Sequence, residues 1–376
     1  MSEQISVLVD YGNSETRFYV LYGNHVWYKT LANQYVKMTQ PMPPEYMNSE
    51  SMSFRVGDYT YAQGAYVARE RAMQATRPNS VQKKMQQAVT MYTTHLVLIY
   101  ALLLVARYKN CSVEDLDITF CIGLLLPAAE HNRDAEAFKQ KIMSVTHLSA
   151  ITPVTFEKDI TIDKVVIVPE GAAAYMAAVY MIDSAGNCVL RPENAQFVTG
   201  DLLVLDIGAG TTDIVQMKDG DLVLSSKDTL HKGGRNVESA CRQRLESIYE
   251  YRLSDADMRS ILQTGTFVQG NTVRDATDVL NQVKDEFSQE LYNYLIEYIE
   301  RHSLEPRALK GLLVVGGGAL PTVRDGEVVS PRIADILIKY LCGLTNTISM
   351  VDVTACDPRK LNIEGLRMFF CAQQAT

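Results

Sequence analysis

The chain has 376 residues, 47% hydrophobic and 21% charged, which suits a packed soluble protein with room for two large domains or several small ones. A formal charge of −8 argues against direct nucleic-acid binding, because neutralising phosphates takes a basic surface. Seven cysteines without C-x-x-C spacing and six dispersed histidines suggest neither a disulfide framework nor a zinc site, and fit reduced thiols in a cytoplasmic protein.

The N-terminus passes from Met1-Ser2-Glu3-Gln4 straight into a strand, with no charged n-region or apolar h-region. In Ser6–Val20 an apolar strand ends on Asp10, a turn follows with Gly12, Asn13 and Ser14, and Thr16-Arg17 lead into a second strand. A further turn at Tyr22–His25 makes residues 5–32 a strand–hairpin–strand–hairpin–strand meander. Residues 33–80, richer in Tyr, Met, Gln, Ser and Pro, look like a small insertion with short strands at Ser53–Val56 and Tyr59–Tyr61. Gln82–Tyr108 is expected to be a long helix, with Lys83 and Lys84 in a solvated first turn. Its apolar stretch Leu96–Ala106, roughly 11 residues, is too short to span a bilayer and reads as a core helix. A buried strand follows at Leu116–Leu126, ended by Pro127. Next come an amphipathic helix at Ala128–Thr146, with Phe138, Ile142 and Val145 on one side, and strands at Val154–Phe156 and Val165–Val168. The small residues 171–178 suggest a helix packed very closely on a neighbour. Glu170 lies at its start, where a carboxylate serves either as a helix-dipole cap or to orient an attacking water.

Asp201–Lys218 restates the opening motif. The apolar run Leu202–Leu205 reads as a strand buried on both faces and ends on Asp206; Gly208 and Gly210, the hydroxyls Thr211 and Thr212, Asp213 and the run Ile214–Met217 follow. Glycines at the tip let backbone N–H groups approach an anion, and a carboxylate beside a phosphate calls for a divalent metal between them. Aligning Asp10 with Asp206 puts Gly12 on Gly208, Thr16 on Thr212 and Arg17 on Asp213, at an offset of about 196 residues. One acid–glycine turn is ordinary hairpin chemistry. Two copies, each opening one half of the chain, point to paired phosphate loops.

The rest of the second half carries Gly233-Gly234-Arg235 before a helix at Val237–Tyr249, with Val237, Cys241, Leu245 and Ile248 on one face. A polar stretch at Arg252–Arg274 and a long helix at Asp275–Arg301 follow. A buried strand at Leu312–Val315 runs into Gly316-Gly317-Gly318, which permits backbone approach to a flat ligand or a phosphate. The last predicted elements are a helix at Pro331–Cys342, a strand at Ile348–Val351 and a helix over about Asn362–Ala372.

In this order, the two hairpins, the Pro169-Glu170 segment, Gly-Gly-Arg at a helix start and the triple glycine resemble the actin-like ATPase superfamily over nearly the whole chain; LDIGAGTTDI and LLVVGGGA are the most specific pieces. Within it, ITFCIGLLLP and VPEGAAAY are similar to segments of the ParM/StbA plasmid-segregation filament proteins. The resemblance implies an α/β actin-like fold, two similar ribonuclease-H-like domains flanking a nucleotide cleft. The expected division is 1–168 plus 345–376 (insertion about 33–80) and 169–344 (insertion about 251–274). It further implies ATP/ADP and Mg2+ as ligands. Asp10 and Asp206 would hold hydrated magnesium, Glu170 would activate water, and Gly12, Asn13, Ser14, Thr16, Arg17, Gly208, Gly210, Thr211 and Thr212 would bind phosphates. Gly233, Gly234, Arg235 and Glu238 correspond to a ribose-side segment, Gly316–Gly318 to an adenosine-side one, and Lys284 is placed flanking the base. Arg17 stands where many relatives have Lys, and its planar fork reaches differently. The implied function is ATP-dependent head-to-tail filament assembly, with plasmid DNA engaged through a DNA-binding adaptor at a centromere-like site and no membrane partner. A small-molecule kinase of the same superfamily, or another bacterial cytoskeletal filament protein, is the alternative.

Overall fold

The structure is a computed structural model that describes residues 3–12, 15–47, 51–64, 67, 88–184, 187–344, 347–353 and 356–374. The chain forms two compact units, residues 1–126 with 130–168 and residues 127–129 with 169–376.

In the first unit, β1 (Glu3–Tyr11), β2 (Glu15–Tyr22) and β3 (His25–Ala32) form the predicted antiparallel meander, with Val9 opposite Phe18 and Val20 opposite Trp27. Then come β4 (Val36–Lys37), β5 (Ser51–Val56), β6 (Tyr59–Gly64), α1 (Ala88–Lys109), β7 (Ile118–Leu126), α2 (Ala128–Met143), β8 (His147–Thr152), β9 (Phe156–Asp159) and β10 (Thr161–Pro169). The main sheet runs β10-β7-β1-β2-β3, with β7 parallel to β1. A second sheet runs β4-β6-β5-β8-β9. The stretch predicted as an insertion is thus joined to the body: β5 pairs with β8, a strand at residues for which no element was expected, and Phe54 of β5 is buried in the main core. The predicted helix start, including Lys83 and Lys84, lies outside the described residues. By length and composition Met91–Lys109 suffices to cross a bilayer, but 61% of that stretch is buried, and Leu96, Ile99, Leu102 and Val105 pack in the core of the first unit.

The second unit contains α3 (Ala172–Val179), a small hairpin of β11 (Tyr180–Ile182) and β12 (Cys188–Leu190), β13 (Asp201–Ile207), β14 (Thr212–Lys218), β15 (Asp221–Leu222) and β16 (Asp228–Leu230). It continues through α4 (Gly234–Tyr249), α5 (Asp255–Thr264), β17 (Thr266–Gln269), β18 (Thr272–Asp275) and α6 (Thr277–Arg301). β19 (Leu309–Val315), β20 (Thr322–Arg324), β21 (Glu327–Ser330), α7 (Ile333–Cys342), β22 (Ser349–Met350) and α8 (Leu361–Gln374) complete it. Its sheet runs β15-β14-β13-β19-β22, with β16 also on β14. Both units therefore place an antiparallel hairpin beside a parallel crossover strand, β1–β2 next to β7 and β13–β14 next to β19.

Strand β13 is buried on both faces, as its continuous apolar run predicts. Leu203, Leu205 and Ile207 enter the core that holds Val237, Leu245, Val283 and Leu291 of α4 and α6. Leu202 and Val204 enter the opposite core, with Ala174, Ala177, Leu361 and Met368 of α3 and α8. Each such side chain contributes about 1.5–3 kcal/mol on burial. Ile248, predicted on the buried face of α4, is instead 60% exposed. The segment 345–376, expected with the first domain, packs in the second unit: β22 adds parallel to β19, and α8 lies on α3. The contact between these helices is backbone on backbone, because a Cβ on Gly365 would stand 1.7 Å from the carbonyl oxygen of Ala173.

Candidate functional site

Strand alternation decides which side chains the second hairpin presents. Asp206 pairs with Asp213 and Ile207 with Thr212, and cross-strand partners share a face. Asp206 therefore lies on the Leu202–Val204 side, toward α3 and α8, and Thr212 on the side of α4. The turn between them is closed by the Gly208 N–H donating to Thr211 O at 2.9 Å. A Cβ on Gly210 would meet nothing within 4 Å, so the tip is open.

Two glycine segments close on this hairpin. At the start of α4, Gly234 N–H donates to Gly208 O at 2.9 Å and Arg235 N–H to Ala209 O at 2.8 Å. Gly233 allows that approach: a Cβ there would lie 2.5 Å from Gly208 O. The first amides of α4 are thus committed to the hairpin tip. After β19, Gly316 has φ +88°, and a Cβ on it would lie 2.5 Å from Ile207 O and 2.6 Å from Asp206 Oδ1. Gly318 packs on the Ile207 side chain, while Gly317 is exposed with nothing within 4 Å of a Cβ. Asp206, Gly208, Gly233, Gly234 and Gly316 are brought together.

Glu170 joins them through a residue that sequence reasoning missed. Asn362, in the first turn of α8, donates from Nδ2 to Asp206 Oδ2 at 2.6 Å and accepts at Oδ1 from Gly171 N–H at 3.1 Å. Glu170 is half-buried in the turn between β10 and α3, ahead of the helix cap Gly171, whose φ is +78°. A Cβ on Gly171 would lie 2.8 Å from Val215 Cγ2, so the Glu170 turn is seated on the β13–β14 sheet. No local pattern marks Asn362; its only sequence signal is a polar residue in the first turn of the last helix.

In the first unit, Asp10 pairs across the strands with Arg17, and its carboxylate lies 3.6 Å from the Arg17 guanidinium. Arg17 also bonds Glu15. Desolvation works against the charge of Arg17, and the carboxylates of Asp10 and Glu15 outweigh it, so its pKa lies above the ordinary value. The turn is clamped by Asn33, which is 4% exposed: Nδ2 donates to Gly12 O at 2.5 Å and Oδ1 accepts from Thr16 at 2.8 Å. Asn13 and Ser14 lie outside the described residues.

Three expected ligand side chains are committed elsewhere. Thr16 and Thr212 are fully buried, and their hydroxyls donate to Asn33 and to Lys232 O (2.9 Å), because each occupies the inward position of its strand. Lys284, 5% exposed, donates from Nζ to Pro331 O at 2.9 Å and Thr322 Oγ1 at 3.3 Å. Burial pushes its pKa down to about 8 against the pull of Cys241 and Asp335. It braces α6 against the β20–β21 region. Glu238 pairs with Arg242 one turn on at 3.2 Å, and Arg235 is exposed. Among the described residues no group of three or more His, Cys, Asp and Glu could hold a metal by itself.

Against known proteins, the family model for the archaeal actin homologue MreB-like, C-terminal, matches residues 204–324, the stretch holding the second hairpin, the start of α4 and the triple glycine. The archaeal actin homologue Ta0583 superposes with a TM-score of 0.73 at 14% identity, over 99% of this chain and 100% of that one. ParM of Bacillus thuringiensis with ATP gives 0.63 at 12% identity over 100% of both chains. The 15-stranded ParM filament from Clostridium botulinum gives 0.63 at 14% over 99% and 100%. No curated protein matches the chain by sequence. At these identities the structural likeness is one of fold, and it is the fold expected from the motif order. The chain is thus a protein of the actin-like fold, and its residues 204–324 match the C-terminal domain model of the archaeal MreB-like actin homologues.

Proposed function

We propose that the chain is a Mg2+-dependent ATPase that polymerises into filaments with bound nucleotide. The observation that carries this is the closure of three glycine segments around Asp206: the hairpin tip, the start of α4 and the triple glycine approach one another at distances that a Cβ on Gly233 or Gly316 would not allow. Such packing leaves backbone, rather than side chains, to face a ligand. The amides of the turn from Gly208 to Thr211 other than the Gly208 N–H that closes it, Gly210 and Thr211 among them, would bind phosphate, Gly233–Arg235 and Glu238 the ribose, and Gly316–Gly318 the adenosine. Asp10, Gly12–Ser14 and Arg17 are the proposed counterpart loop of the first unit.

The donor set fits magnesium. Mg2+ keeps several waters and is held by one or two carboxylates plus substrate phosphates, so it needs no cluster of protein ligands. Asp206 would hold it in the second unit, and Asp10 is the carboxylate at the matching position of the repeat; the ion would supply charge neutralisation on the phosphates. Glu170, whose turn is hydrogen-bonded to the amide that also holds Asp206, would orient the attacking water. Catalysis of this type is positioning and electrostatics. A ParM filament of the same fold supports self-association, and a head-to-tail contact generates an open polymer. With a net charge of −8, cargo DNA would be engaged through a DNA-binding adaptor in the cytoplasm.

The test is sedimentation and phosphate release with and without ATP–Mg2+. Nucleotide-dependent pelleting with phosphate release is expected, and Glu170→Ala should slow release by about 100-fold or more while sparing ATP binding. Absence of pelleting at any workable concentration sinks the filament claim. Unchanged turnover in Glu170→Ala removes its catalytic role, and ADP production that requires an added sugar would identify a kinase instead.

A further inference from the structure

We propose that Asn362 is a positioning residue of the nucleotide site, tying the metal-side carboxylate Asp206 to the turn that carries Glu170. The inference rests on the reading of Asp206 and Glu170 given above.

The orientation of the amide follows from its partners. An ionised carboxylate only accepts and a backbone N–H only donates, so Nδ2 must face Asp206 and Oδ1 must face Gly171, as their separations of 2.6 and 3.1 Å require. Asn362 thus holds Oδ2 of Asp206, and Gly316 leaves room for Oδ1, where a Cβ would come within 2.6 Å of it. The partner is neutral, so it fixes the carboxylate without cancelling its charge. An oriented carboxylate is what a hydrated cation requires.

The residues around Asn362 serve the same end. Pro358 O accepts from Gly316 N–H at 3.1 Å, so the segment before α8 holds the triple glycine as well. Gly365, one turn beyond Asn362, lets α8 approach Ala173 of α3 at backbone distance, which brings the amide within reach of both Asp206 and Gly171. Hydrogen bonds that orient metal ligands from behind typically change metal affinity by about 10- to 100-fold when removed.

The test measures binding of a fluorescent ATP analogue to the full chain, first in EDTA and then across a Mg2+ titration. It compares wild type, Asn362→Leu, Asn362→Ser, Asp206→Asn and Leu366→Ala. Leu366 is fully buried on the same helix, so Leu366→Ala loosens α8 without touching the amide. Both Asn362 variants should need about tenfold more Mg2+ for half-maximal tightening and keep their metal-free affinity. Leu366→Ala should melt earlier with its Mg2+ midpoint unmoved. The serine variant serves if the leucine variant fails to fold. An unmoved midpoint in a folded Asn362 variant, or an equal shift in Leu366→Ala, overturns the proposal alone. If Asp206→Asn leaves the midpoint unchanged, or wild type binds no nucleotide, the reading of the site falls and the role of Asn362 with it.

Discussion

Alanine at Gly316 and at Gly317 should give opposite results, although the two are neighbours. Gly316 has φ +88° and ψ −178°, a region open in practice only to glycine, where a residue with a Cβ costs about 1–3 kcal/mol. The added methyl would also stand 2.5 Å from Ile207 O and 2.9 Å from Ile207 C, backbone atoms of a strand held by ladders on both sides. Overpacking of that kind costs about 1–3 kcal/mol more. The total of about 2–6 kcal/mol converts, at roughly 2–4 °C per kcal/mol for a unit of this size, to a melting temperature lower by about 4–24 °C. Gly317→Ala meets nothing within 4 Å and should stay within about 0.5 kcal/mol of wild type. Its methyl would instead project where the nucleotide is proposed to lie, so the loss should appear as a smaller stabilisation by ATP–Mg2+. For wild type that stabilisation is about 2.7 kcal/mol at a ligand concentration of 100 Kd. The assay is thermal melting of the three proteins with and without ATP–Mg2+. Gly316→Ala melting within 2 °C of wild type (about one kcal/mol) would refute the close approach to Asp206. A full nucleotide shift in Gly317→Ala would place the ligand away from this loop.

Asn33→Ala strands the Thr16 hydroxyl and the Gly12 carbonyl in the first unit, and should cost about 1–3 kcal/mol in urea unfolding; a change below about 0.5 kcal/mol would show the clamp to be idle. Lys284 gives a pH signature. Its folded pKa of about 8 lies below the ordinary 10.5, so between those values the unfolded chain holds a proton that the folded chain has released, and stability rises with pH across that window. Relative to Lys284→Met, wild type should gain up to about 3 kcal/mol between pH 8 and 10.5 and nothing below pH 7. Urea midpoints across that range provide the check, and a pH-independent difference would refute the burial of the ammonium.

What was legible in the sequence was local or repeated. The apolar run before Asp206, the turn glycines and the second copy around Asp10 yielded the strands, both hairpins and the shared plan. The same alternation, carried two residues further, also held the orientation of the threonines: Thr212 falls opposite Ile207 and Thr16 opposite Tyr11, so both hydroxyls turn inward, while Arg17 falls opposite Asp10. What was not legible depends on partners far apart in the chain. β5 pairs with β8 across the whole of α1 and α2. The strand expected at Ile348–Val351 does form, as β22, but its place beside β19 depends on a partner about 40 residues earlier. Lys284 sits in an amphipathic helix like many exposed lysines, and only the packing of the β20–β21 hairpin over it reveals its burial.

The bond between Asn362 and Asp206 closes a loop of 156 residues, and the one to Gly171 a loop of 191. This has a consequence for timing. During synthesis the sheet of the second unit can pair β13, β14 and β19 well before α8 leaves the ribosome, but the carboxylate and the Glu170 turn have no shared anchor until it does. Contacts of such long range form late, because loop closure must precede any gain from them. A nascent chain that has reached β19 would therefore be folded in part while Asp206 and the Glu170 turn still lacked their common anchor.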